Sequence, residues 1–79
     1  MFSNKIEIVT LVEGVKKSIT TIKYYPNTSH TMRMKLGEKE ALRIAREGLV
    51  IYDDLCLIVY PPNKIKQVIV FSLPLSKRY

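Results

Sequence analysis

The stretch Met32-Arg33-Met34-Lys35-Leu36-Gly37-Glu38-Lys39-Glu40-Ala41-Leu42-Arg43-Ile44-Ala45-Arg46-Glu47-Gly48 decides how this chain is read, because two periodicities follow one another in it. Met32, Met34 and Leu36 alternate with Thr31, Arg33 and Lys35, which is the period of a half-buried strand. On that reading the two methionines face the core. Ala41, Leu42, Ile44 and Ala45 then make an apolar stripe at helical spacing. Gly37 is read as the helix start, with Leu36 and Ala41 placed as a hydrophobic staple. Glu38 and Glu40 fall in the first turn, where the helix dipole favours acids, and Gly48 is the natural stop. The spacing therefore predicts a short strand over 32–36 and a helix over about 38–47.

On the N-terminal side, Ile6, Ile8 and Val12 alternate with Lys5, Glu7 and Glu13, giving a strand over about 5–12 with Val9 and Leu11 on its opposite face. Glu13-Gly14 is a turn signal. A second strand, Val15 to Tyr25, is rich in β-branched residues. Its Ile19 and Ile22 are out of phase for period two, which predicts a bulge or strong twist. Pro26-Asn27-Thr28-Ser29 ends it. On the C-terminal side, Leu49–Tyr52 and Leu55–Tyr60 flank Asp53-Asp54 as a tight hairpin, with Cys56 a small buried apolar residue inside a strand. Pro61-Pro62-Asn63-Lys64 is the next turn, Ile65 to Leu73 the last strand, and Ser76-Lys77-Arg78-Tyr79 a short basic tail.

These elements predict one α+β domain over residues 1–79. It is a small mostly antiparallel sheet or partly closed barrel, in the order β-β-β-α-β-β-β, with one covering helix. The C-terminal strands are apolar on both faces, so the sheet needs two covers. The helix supplies one. The other must come from the N-terminal strands folding over or from a second copy, and a homodimer is expected.

The residue types exclude more chemistry than they suggest. A single cysteine rules out an internal disulfide framework or a paired-thiol zinc site. His30, alone in a Ser/Thr loop, has no partner that would make it a base, and Asp53-Asp54 reads as a turn more than as part of a metal site. Ser18, Ser29 and Ser72 lack a nucleophile elbow, and the three glycines are too scattered for a phosphate loop. No catalytic activity, cofactor or metal is expected. The longest apolar run has six residues, too few for a bilayer. With no apolar leader at the N-terminus, the chain is expected to be cytoplasmic and to have no membrane association. Low amide content, one glutamine and three asparagines, beside abundant Ile, Val, Lys and Glu resembles thermophile usage.

What remains is charge. The net charge of +6 is unevenly distributed: residues 15–46 hold eight cations against two acids, and the flanking segments nearly balance. Lys39, Arg43 and Arg46 lie at i, i+4 and i+7 of the helix, Arg33 and Lys35 on one face of the expected strand, and Tyr24 and Tyr25 beside Lys23. This pattern predicts a small nucleic-acid-binding or regulatory protein. Lys16, Lys17, Lys23, Arg33, Lys35, Lys39, Arg43 and Arg46 would contact phosphates while Tyr24 or Tyr25 stacks on a base. A solvated helix face with Arg43 paired to Glu40 and Glu47 explains part of the same pattern. The alternative function is a protein-interaction or inhibitor module that binds an acidic partner.

Overall fold

A computed structural model describes residues 4–74. The expected basic tail, 76–79, lies outside them. Strands β1 (Lys5–Val12), β2 (Ile19–Tyr24) and β5 (Ile65–Leu73) form an antiparallel sheet in the order β2-β1-β5. Helix α1 (His30–Glu47) crosses one face of it. Strands β3 (Leu49–Tyr52) and β4 (Leu57–Tyr60) form a separate antiparallel hairpin, and a 3-10 turn, Pro62–Lys64, leads from it into β5. The α+β class and the single covering helix hold. The sheet is open, and the described residues hold five strands.

The missing strand is the one expected at 32–36, which is helix throughout. The helix starts eight residues before the position expected, because Ser29 caps it: the Met32 amide donates to Ser29 Oγ at 3.1 Å and the Arg33 amide to Ser29 O at 3.0 Å. Five residues of alternation cannot outweigh a capped helix that carries on for four more turns, since each added residue gains a backbone bond once the first turn is closed. Gly37 therefore lies mid-helix. Glu38 and Glu40 lie beyond the first turn, which holds no acid, and Leu36 and Ala41 form no staple. Met32 and Met34 are exposed, at 50% and 39%. The helix faces the sheet with Arg33, Gly37 and Ile44, all buried at one helical phase. It ends as expected at Gly48, whose φ of 94° suits glycine and whose amide donates to Ile44 O at 2.7 Å.

Pairing sets the two faces of the sheet. Ile6, Ile8, Thr10 and Val12 point under the helix, aligned with Ser72, Val70, Val68 and Ile65 of β5. Ile6, Ile8, Ile44 and Leu49 form the buried core, against which Ile19, Ile51 and Tyr60 pack. The β1–β2 ladder is regular, so no bulge separates Ile19 from Ile22. Ile22 simply faces away from the helix, 45% exposed, and the irregularity falls between Leu11 and Val12 opposite β5. The β3–β4 loop is Asp53 to Cys56, closed by an Asp53 amide bond to Cys56 O at 2.9 Å. It is two residues longer than expected, so Leu55 is 97% exposed and Cys56 is an exposed loop thiol. The N-terminal strands pair in the same sheet as β5 and do not fold across its far face, where Ile22, Tyr24 and Phe71 remain exposed.

Candidate nucleic-acid interface

Moving residues 30–37 from strand to helix rearranges the expected basic site. Lys35 joins Lys39, Arg43 and Arg46 at i, i+4, i+8 and i+11, inside an arc of about 80°. All four are exposed, on the side of α1 turned away from Arg33, Gly37 and Ile44. Arg33, expected beside Lys35, points the other way and is 5% exposed. Its Nε donates to Ser72 Oγ at 3.0 Å and its Nη1 to Thr28 O at 2.6 Å. His30 Nδ1 also lies 3.0 Å from Ser72 Oγ. Among the described residues no carboxylate pairs with Arg33, so neutral acceptors hold this guanidinium where it ties the helix N-terminus to the end of β5. The Ser72 partner lies 39 residues away, and nothing in the local sequence marks the pair.

Glu40 pairs with two further cations of the expected set. Its carboxylate takes Lys23 Nζ at 2.5 Å and Arg43 at 2.8 Å, bringing β2 and α1 together. Hydrogen bonds from Lys23 and then Arg43 outweigh partial burial and hold the Glu40 carboxyl below the ordinary carboxylate range. The same bond raises the Arg43 guanidinium above its usual value. Arg46 meets Glu47 at 3.3 Å, with both side chains largely solvated. Lys16, Lys17, Lys35 and Lys39 make no ion pair among the described residues.

The tyrosines do not join the stripe. Tyr25 packs against the core cluster. Tyr24 faces the uncovered side of the sheet, with Lys5 Nζ 5.8 Å from its ring centroid. Lys16 and Lys17 are exposed on the β1–β2 turn. That turn lies at the same end of the molecule as the helix C-terminus: the Glu13 amide donates to Lys64 O at 2.8 Å, and Gly48 abuts Tyr60 and Pro62.

No group of three or more His, Cys, Asp or Glu side chains among the described residues could hold a metal ion. None of their helices is long and apolar enough to cross a membrane. Searched against protein-family models, curated protein sequences and solved structures, the chain matches none of them.

Proposed function

We propose that this protein binds nucleic acid without catalysis, by phosphate contacts from the outward stripe of α1. The observation that supports this is the alignment of Lys35, Lys39, Arg43 and Arg46 along about 16 Å of helix. Lys35 and Lys39 are the principal contacts, because neither makes an ion pair among the described residues. Arg46 is next, since its pair with Glu47 is solvated and weak. Arg43 contributes least while Glu40 holds it. Lys16 and Lys17 extend the basic surface past the helix C-terminus. Arg33 and Tyr25 take no part, and Tyr24 stacks on no base bound at the stripe.

Fluorescence anisotropy of labelled double- and single-stranded oligonucleotides, from about 50 to 300 mM salt, tests this reading. Three or four neutralised phosphates give a log–log slope of roughly −3 to −4 on duplex. Replacing Lys35 and Lys39 by Ala flattens the slope by about two, whereas Arg33→Ala lowers stability and leaves the slope of the folded fraction unchanged. Absence of binding at the lowest salt, or binding indifferent to the double substitution, overturns the proposal. A protein-interaction module for an acidic partner is the second reading, favoured by the exposed Ile22, Tyr24 and Phe71 on the uncovered sheet face. Substitutions on that face and not on the stripe would then abolish partner binding.

A further inference from the structure

We propose that two copies of this chain join along the free edge of β5, forming a six-stranded sheet with the two α1 helices side by side above it. The inference starts from where the helix sits. Helix α1 lies over β5 more than over the central strand β1, and at Gly37 it touches Val70 of β5 and Ile6 of β1 together. Its axis therefore runs above the gap between those strands, at the side of the sheet, and one flank of the helix hangs over the β5 edge. Two clefts mark that overhang. One is lined by Thr31, Met34, Lys35, Glu38 and Val70, the other by Ala41, Leu42, Ala45 and the strand residues Ile65 to Val68.

The edge and the flank are both unfinished. β5 is nine residues long, paired among the described residues only with β1, and Val68-Ile69-Val70-Phe71 carries no charge. The other edge of the sheet, β2, is shorter, at six residues, and carries Lys23, while the one charge of β5, Lys66, lies at its N-terminal end. On the helix flank, Leu42 is 58% and Met34 39% exposed, beside the small residues Ala41 and Ala45.

A second copy fits this space better than any single added strand. A free strand edge pairs antiparallel with its own copy across a two-fold axis. With strands about 4.8 Å apart and each helix over the β1–β5 gap, the two helix axes fall about 9.6 Å apart, within the 8–10 Å at which helices pack. The alanines are where such close packing needs small side chains. Glu38 and Lys35, which make no ion pair among the described residues, supply opposite charges along the same seam. This inference does not rest on phosphate binding: the seam and the stripe share Lys35 alone, and Lys39, Arg43 and Arg46 line neither cleft.

Light scattering coupled to size exclusion at micromolar to millimolar concentration tests it, with circular dichroism as the folding control. Wild type is expected at twice the 9.1 kDa chain mass, and Leu42→Glu combined with Ala45→Glu at half the wild-type value. Ile22→Lys with Phe71→Lys, on the uncovered face, is expected to remain dimeric. Hydrogen exchange on wild type adds a readout that needs no substitution. All central β5 amides, including those turned away from β1, are expected to be protected, and the outward set to lose protection on dilution. A monomeric wild type, fast outward amides at high concentration, or a dimer broken by the face pair and not by the flank pair would overturn the proposal.

Discussion

Gly37 is the residue on which the packing of helix against sheet can be tested most directly. In an isolated helix, Gly37→Ala would gain about 0.8–1 kcal/mol, because alanine loses less backbone entropy. Here the added methyl would run into Val70 Cγ1, with Ile6 Cδ1 at ordinary contact distance, 3.6 Å. The Val70 methyl is a branched group fixed to a strand backbone and cannot swing aside as the tip of a long side chain would. The helix would have to lift from β5, loosening Ile44 in the core and the Arg33–Ser72 bond at 3.0 Å. Overpacking of this kind costs about 1–3 kcal/mol and more where backbone must move, so the clash outweighs the propensity gain. The net expectation is a loss of up to about 2 kcal/mol in place of the propensity gain, and each kcal/mol lowers Tm by about 4–8 °C in a domain of this size. Urea and thermal unfolding followed by circular dichroism, at one protein concentration so that association does not confound the comparison, gives the number. Val70→Ala should rescue Gly37→Ala, with a favourable coupling of about 1–2 kcal/mol in the double-mutant cycle. A Gly37→Ala variant stabilised by the full propensity gain, with no coupling to Val70, would refute the close approach and the helix placement argued from it.

Two other substitutions probe polar groups that the fold has placed. Thr10 is fully buried and its Oγ1 has no hydrogen-bond partner among the described residues, so Thr10→Val is expected to stabilise by about 1 kcal/mol, since an orphaned buried hydroxyl carries an uncompensated desolvation cost. Unfolding midpoints check it, and destabilisation would mean the hydroxyl has a partner. Glu40→Gln is expected to cost about 0.5–1 kcal/mol at neutral pH, both partner side chains being over 40% exposed. Because its carboxyl is held below the ordinary range in the folded state, Glu40 contributes stability above the unfolded-state pKa and loses it as pH falls through the folded value. The difference between wild type and variant should therefore vanish in acid. The same variant releases Lys23 and Arg43, and is expected to bind duplex more tightly with a salt slope steeper by about one.

Much of the fold is legible in local pattern. Lys5–Val12 and Ile65–Leu73 run where their composition and turn signals put them, and Gly48 stops the helix where its left-handed φ predicts. The errors occur where a short pattern has two solutions. Met32 to Leu36 satisfies period two, but a cap at Ser29, three residues upstream of the quoted stretch, commits the chain to helix. Ile22 reads as out of phase only if every isoleucine of β2 faces inward. Cys56 reads as buried only if Asp53-Asp54 is the whole loop.

The candidate site divides along the same line. The sequence alone determined that the excess charge is confined to residues 15–46 and that Lys39, Arg43 and Arg46 share a helical face, because both follow from composition and a 3.6-residue period. Tertiary structure decided what each charge does. Arg33 lies inside, held by Ser72 from the far end of the chain; Glu40 takes Lys23 across from β2; Tyr24 and Tyr25 go to different faces; and Lys35 joins the stripe. Periodicity gives the direction in which a side chain leaves its own element. Its partner is set by which elements are brought together, and that depends on contacts between residues tens of positions apart.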